Sequence, residues 1–263
     1  MLKVENARIV FHPGTVNETE ALRGISLHLK PGEFVTVIGG TGAGKSTLLN
    51  CVAGANFLTS GRILIDGQDV TNVPEYKRAK YLGRVFQDPM MGTAGNMWIE
   101  ENLALAYRRG QKRGLRWGIS NEERELFKEQ LSQFDLGLEG RLSTKVKLLS
   151  GGQRQALTLL MATLVKPKLL LLDEHTAALD PKTAKKVLEL SEQIIERDHL
   201  TTLMVTHNMR DAIKYGNRLI MLHAGEIAVD VSGEEKKNLT VESLIEKFSE
   251  ASGSDEVSDK LAL

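Results

Sequence analysis

Cysteine is almost absent from this 263-residue chain, with Cys51 the single example. One thiol excludes an intrachain disulfide framework and a cysteine-based metal cluster, and it suits a reducing compartment. Long apolar runs are absent as well. Even the Leu169–Leu172 run falls far short of the roughly 18 residues that span a bilayer, so any route across a membrane would come from other chains. Net charge of either sign is missing, because 34 Lys and Arg balance 34 Asp and Glu. No global field draws the molecule to nucleic acid or to an anionic membrane, and no nucleic-acid partner is expected. The opening Met1–Asn6 lacks the basic-then-apolar pattern of a secretory signal. There is no internal repeat and no heptad run long enough for a coiled coil.

What is there is an alternation of strands and helices. Ile25–Leu29 alternates, Pro31-Gly32 turns, and Phe34–Ile38 is a nearly continuous apolar strand. A glycine-rich turn leads into a helix over about Lys45–Ala53, and strands follow at Arg62–Asp66 and Tyr81–Phe86. From about Met97 to Phe134 the pattern turns helical, with Ser120 and Glu123 forming a capping box. Residues from about 90 to 148 read as a helical insertion. After it come a helix (Gly152–Val165), a strand (Leu169–Leu172), a helix opened by Asp180-Pro181, strands at Thr202–Val205 and Arg218–Leu222, and a turn at Gly225. This order predicts an α/β fold with a mostly parallel sheet covered on both faces. One domain over residues 1–250 is expected, with 251–263, rich in Ser, Asp and Lys, as a frayed tail.

Three motifs carry chemistry. Gly39-Gly40-Thr41-Gly42-Ala43-Gly44-Lys45-Ser46 fits the phosphate-loop pattern between a strand and a helix. Glycines let backbone N–H groups curl around phosphate oxygens, and the helix N-terminus adds a favourable dipole. Lys45 can reach the β- and γ-phosphates, and the Ser46 hydroxyl can ligate Mg²⁺. A chance match in a chain this long has odds on the order of 1 %. Secondly, the buried strand Leu169–Leu172 ends in Asp173-Glu174, where open parallel sheets bind ligands. Neighbours on a strand point to opposite sides, so Asp173 suits the Mg²⁺ shell and Glu174 the attacking water. Two solvated acids ending a strand would look the same. Thirdly, Leu149-Ser150-Gly151-Gly152-Gln153 opens a helix with an apolar stripe, a second candidate anion site. Local physics alone favours an ordinary N-cap there.

Together the three motifs resemble the ABC ATPases, over residues from about 3 to 230. The resemblance implies a phosphate-loop NTPase core, an N-terminal antiparallel β subdomain, and a helical subdomain (about 90–165) carrying the signature motif. It implies ATP and Mg²⁺ as ligands, nucleotide contacts from Phe11 and from Gly39 through Thr47, and catalysis by Lys45, Glu174 and His207. Ser46, Gln87 and Asp173 would serve the metal. Ser150, Gly151, Gly152, Gln153 and the D-loop Asp180 would face ATP held by a second copy, or by a related subunit. Phe11 stands where the family stacks an aromatic on adenine, although a core strand aromatic would look alike and an atypical insert, Pro13–Glu20, follows it. His175 departs from the family, which often has proline there, and could perturb the loop after Glu174.

The same resemblance implies a cytoplasmic ATPase lying on the inner face of the cell membrane, driving a separate integral membrane permease with a substrate-binding protein. An importer of a small solute is expected. An ATPase of a soluble machine, such as iron–sulfur cluster assembly, is the alternative. A basic cluster at Arg108, Arg109, Lys112, Arg113 and Arg116, beside Trp117, fits a nucleic-acid patch, a lipid-facing surface or a plain charged surface.

Overall fold

The computed structural model describes residues 1–111 and 118–252, which divide into two compact units. Unit one takes Met1–Arg78 and the chain from His199 onward, and unit two takes Ala79–Asp198. Unit one begins with β1 (Leu2–Phe11), β2 (Thr19–Leu29), β3 (Phe34–Gly39), α1 (Lys45–Ala53), β4 (Ser60–Ile65), β5 (Gln68–Asp69) and α2 (Glu75–Arg78). Unit two holds β6 (Leu82–Val85), α3 (Ile99–Tyr107), α4 (Asn121–Ser132), α5 (Gly151–Thr163), β7 (Leu169–Asp173) and α6 (Pro181–Arg197). The chain then returns to unit one with β8 (Thr201–Val205), α7 (Met209–Lys214), β9 (Arg218–His223), β10 (Glu226–Ser232), α8 (Gly233–Lys237) and α9 (Val241–Ser252).

In unit one an antiparallel sheet runs β2-β1-β4-β5, as expected for the N-terminal segment. Its strands are longer than periodicity predicts, and a bulge explains why. Asn6 adopts φ 46°, and register shifts lie between Val4 and Ala7 against β2 and between Glu5 and Arg8 against β4. One residue out of step hides the period-2 signal. Gly61 sits in this bulge at φ 99°, where a Cβ would meet the Asn6 carbonyl oxygen at 2.3 Å.

Beside this sheet, β3 pairs in parallel with β8 and with β9, and β10 joins β9 antiparallel. All six residues of β3 and all five of β8 are buried, as strands covered on both faces must be. Helix α1 ends at Gly54, φ 86°, with its last carbonyls capped by a side chain distant in sequence. Arg78, fully buried, donates from Nη1 to the Cys51 and Val52 carbonyls at 2.7 and 2.8 Å and from Nε to the Val73 carbonyl at 2.6 Å. Cations suit a helix C-terminus. Burial pushes the Cys51 thiol up to about 11.

The stretch after Gly225 forms structure that the sequence reading passes over. Leu244 and Phe248 of α9 pack with Ile38, Met209 and Met221. Lys236, 3 % exposed, donates to the Ile213, Tyr215 and Gly216 carbonyls, which seals the end of α7. Residues 253–263, most of the expected tail, lie outside the described residues.

In unit two β6 and β7 pair in parallel; helices α3 and α4 lie within the span of about 90–148 read as a helical insertion, and α5 follows it. Ser120 and Glu123 make the capping box. Of the basic cluster, Arg108 pairs with Glu123 at 3.0 Å. Arg109 donates to the Ala162 and Val165 carbonyls at 3.1 and 2.6 Å, capping the end of α5 rather than decorating a surface. Lys112, Arg113, Arg116 and Trp117 lie outside the described residues. Among the described residues no helix is long and apolar enough to cross a membrane.

Candidate phosphate-binding and acidic sites

In unit one the loop from Gly39 to Gly44 joins β3 to α1, and backbone geometry dictates its glycines. Gly39 has φ 151°, and a Cβ there would meet the Leu222 carbonyl oxygen at 2.3 Å. Gly44 has φ 100°, and its Cβ would meet the Ala21 carbonyl oxygen at 2.7 Å. Neither position tolerates a side chain. The loop is further fixed by Gly225 N–H donating to the Ala43 carbonyl at 3.2 Å. Thr41, Gly42 and Ser46 are exposed, Gly40 and Thr47 half-buried, and Ala43 buried.

Gly44 occupies the N-cap of α1 with no side-chain cap, and the first turn carries no acid. With neither a side-chain cap nor an acid at its start, the dipole of α1 has no compensating side chain there, the arrangement that suits anions. Lys45 lies folded across its own loop, Nζ donating to the Gly39 and Gly40 carbonyls at 2.7 and 3.1 Å. An ammonium held on two carbonyls can be transferred to phosphate oxygens by rotating side-chain torsions alone.

His207, exposed, follows β8. Thr206 N–H donates to the Val37 carbonyl at 3.0 Å, and Asn208 caps α7 by accepting from Asp211 N–H at 3.2 Å. The position of His207 is thus set from both sides. Phe11, half-buried, closes β1 opposite Thr19. The insert after it is a self-bonded turn, with Gly14 N–H donating to the Glu18 carboxylate at 2.6 Å.

In unit two β7 delivers Asp173 and Glu174, both half-buried. Asp173 Oδ2 lies 3.4 Å from Arg84 Nη2 of β6. Glu174 takes φ 41°, unusual for a residue with a side chain; the chain turns sharply out of the strand at this carboxylate. His175 turns inward, 2 % exposed, with Nε2 3.1 Å from Ser191 Oγ on α6. Since Ser191 Oγ already donates to the Val187 carbonyl, the imidazole is the donor to it. Burial pushes this imidazole down to about 4, so it is neutral at physiological pH. A proline could not offer this bond, and His175 anchors the turn instead of disturbing it.

Gln87 is exposed just after β6. The preceding carbonyl, that of Phe86, accepts from Gln155 Nε2 of α5 at 3.1 Å, and the following turn is set by Met90 N–H donating to Asp88 Oδ1 at 2.8 Å. Ser150 caps α5, its Oγ accepting from Gln153 N–H at 3.3 Å while Gln153 Oε1 accepts from Ser150 N–H at 3.2 Å. Gly151 is exposed and Gly152 buried, with a Cβ at Gly152 falling 2.2 Å from Thr183 Cγ2. Thr183 N–H also donates to Asp180 Oδ1 at 3.1 Å; hydrogen bonding from the Thr183 side chain, and then from this N–H, holds the Asp180 carboxyl below its usual range. One threonine of α6 therefore brings the signature glycine and Asp180 together. Sequence reasoning alone passes over Arg84 and Gln155; the available signal was a charge inside an apolar strand and a buried amide on an apolar helix face.

Among the described residues no three His, Cys, Asp or Glu side chains gather to hold a metal by themselves. Taken unit by unit, Ser46 offers a hydroxyl in unit one, and Gln87 and Asp173 offer an amide and a carboxylate in unit two, hard oxygen donors of the kind that suit Mg²⁺.

A phosphate loop opening an uncapped helix, a strand ending in two acids, and a capped signature helix define an ATP-binding cassette. The chain belongs to the ABC transporter family, whose model matches residues 22–177. It is 47 % identical to a tyrosine transport ATP-binding protein of Clostridioides difficile, over 94 % of this chain and 98 % of that one. It is 38 % identical to the spermidine/putrescine import ATP-binding protein PotA of Haemophilus influenzae, over 80 % of this chain and 53 % of PotA. Among solved structures it resembles the dimeric post-hydrolysis cassette MJ0796 bound to ADP and Pi, with TM-score 0.75 and 32 % identity over 88 % of this chain and 98 % of that one. The chain is accordingly an ATP-binding subunit of ABC transporters, an ATPase coupled to transport.

Proposed function

We propose that this ATPase drives import of a small organic solute, an amino acid of the tyrosine class, through a separate membrane permease served by a substrate-binding protein. The observation that carries this reading is near full-length similarity to a tyrosine transport subunit at 47 % identity. The whole span from residue 1 to about 250 acts as one ATPase domain in this reading. The protein then works at the inner face of the membrane, held there by its permease.

Hydrolysis follows from the residues described above. ATP seats its phosphates on the uncapped N-terminus of α1, within the loop Gly39–Thr47, with adenine against Phe11. Lys45 moves from its loop carbonyls to the β- and γ-phosphate oxygens. Ser150, Gly151, Gly152, Gln153 and Asp180 of a second copy close over the γ-phosphate, head to tail. Glu174 orients a water in line with the γ-phosphorus and takes its proton as the bond to ADP breaks, while His207 and Lys45 stabilise the developing charge. Ser46, Gln87 and Asp173 would hold Mg²⁺, which would supply neutralising charge at the phosphate oxygens.

Glu174→Gln keeps the shape of the side chain and removes the base. The variant is expected to bind ATP and dimerise while turnover falls by about 100-fold or more; wild-type turnover would remove Glu174 from this role. Affinity purification of that variant from mild-detergent membranes tests the transport reading. A stoichiometric polytopic membrane protein is the expected partner, and only soluble partners from a dimerising preparation would overturn it.

A further inference from the structure

Gln155 stands in the second turn of α5 and is fully buried, an amide among the buried apolar residues Ala156, Leu157, Leu159 and Leu160 of that helix. Its Nε2 donates at 3.1 Å to the Phe86 carbonyl, 69 positions away in sequence. Phe86 directly precedes Gln87, and its ring is held in turn by the Arg84 guanidinium, 4.5 Å from the centroid. The chain beyond Gln87 also lies against α5: a Cβ at Gly92 would stand 3.4 Å from Thr158 Cγ2 and 3.5 Å from Phe86 Cδ2. The segment 86–92 therefore rests on the face of α5 that Gln155 and Thr158 share. All of these residues belong to unit two.

An amide is a poor filler for such a place. A buried polar side chain loses its water, and one new hydrogen bond returns only about what that desolvation costs. Leucine or methionine would fill a similar volume without that cost. What the amide adds is direction, because a donor fixes where a carbonyl lies and an apolar contact does not. Thr158, 3 % exposed on the same face, donates its hydroxyl to the Gln155 carbonyl at 2.7 Å, a bond inside the helix. Gln155 instead carries its bond out of α5 to the segment. Exposed Gln87 is thus set between two fixed points: the Phe86 carbonyl before it, and the turn after it in which Met90 N–H donates to Asp88 Oδ1 at 2.8 Å.

We propose that Gln155 is a positioning residue for Gln87: its bond to the Phe86 carbonyl ties the backbone at Gln87 to the helix that Ser150 opens. The inference rests on the assignment of Gln87 to Mg²⁺ made above, and deepens it by naming the residue that fixes where that amide stands. Ser150 and Gln155 belong to consecutive turns of one short helix, so the signature and Gln87 keep a fixed relation to each other. Without the Gln155 amide, Gln87 keeps its chemistry and loses its fixed place. The loss acts through Gln87, which the loss of a merely structural glutamine would not do.

The test uses the full chain and two readouts. Hydrogen exchange of the free protein, without nucleotide or metal, reads the segment 86–92 directly. Gln155→Met is expected to speed exchange there about fivefold, the scale of one neutral hydrogen bond, and to leave the amides of α1 unchanged. ATP hydrolysis across a Mg²⁺ titration, with Glu174→Gln as the background rate, reads the consequence. Gln155→Met is expected to raise the Mg²⁺ concentration for half-maximal turnover about fivefold. In a chain already carrying Gln87→Ala, adding Gln155→Met is expected to change that concentration by less than about twofold, since the residue it acts through is gone. Should Gln155→Met fail to fold, as thermal unfolding would reveal, Gln155→Leu carries the same expectations. Unchanged exchange in segment 86–92, or an equal effect of Gln155→Met with and without Gln87, would overturn the proposal. Gln87→Ala alone separates the two layers. If it leaves the Mg²⁺ requirement at the wild-type level, the metal assignment itself falls and this inference with it. If it raises that requirement while Gln155→Met does nothing, Gln155 alone is misassigned.

Discussion

Two helices of this molecule begin with glycine-rich sequences that read as anion sites, and they begin differently. Helix α1 starts at Gly44, in a left-handed conformation with no side-chain cap. Helix α5 starts at Ser150 inside a complete capping box, its first donors already satisfied by Ser150 and Gln153. The physics of helix ends makes this difference meaningful, since each α-helix leaves four N–H groups without partners. A protein that gives one helix start no side-chain cap and the other a complete capping box separates a site that needs its ligand from a site that holds its shape alone. The first can bind phosphate within one chain. The second, on the functional reading above, offers Ser150 and Gly151 to a ligand carried by another copy.

Lys45→Ala should give the largest effect, at the start without a side-chain cap, weakening ATP binding to the isolated chain on the order of 100-fold by calorimetry, since two charge-assisted contacts disappear. Ser150→Ala should leave that same affinity within about twofold. Equal losses in both variants would break the comparison, because both helix ends would then serve the same nucleotide in one chain. The next effect in size belongs to Gly152→Ala. Its new methyl must share space with Thr183 Cγ2, at a cost of about 1–3 kcal/mol of stability by denaturant unfolding. Thr183→Ser, which removes that methyl, should recover most of the loss. Smallest is the effect of Ser150→Ala on stability, about 1 kcal/mol for a lost cap; a larger loss would mean that Ser150 supports more than its own helix.

The same contrast explains what was legible in the sequence. The phosphate loop is readable because glycine, lysine and hydroxyl must stand at fixed spacing where chain and phosphate meet, and the structure supplies the reason at Gly39 and Gly44. Leu169–Glu174 is readable because a buried parallel strand has to be apolar up to the point where it meets a ligand. The signature is ambiguous by itself because its side chains make the bonds of any good cap. What escapes the sequence is joined over distance. Arg84 meets Asp173 across 89 positions, and Gln155 reaches Phe86 across 69. The segment after Gly225 is missed for another reason: short elements such as α8 (Gly233–Lys237) have too few residues to show a period. Arg109 misleads in the opposite direction, since a basic run suggests a surface and the side chain caps α5.

Cys51 lies at the closed end of α1, fully buried, its carbonyl accepting from the buried Arg78 guanidinium. With its thiol pushed up to about 11, hardly any thiolate exists at neutral pH, and thiolate is the reactive form. The native protein is thus a ready background for maleimide chemistry. A cysteine introduced at exposed Thr41 or Gly151 would be the one that takes a fluorophore or a spin label, so the pairing of two copies proposed above could be tested optically without first rebuilding the core around α1.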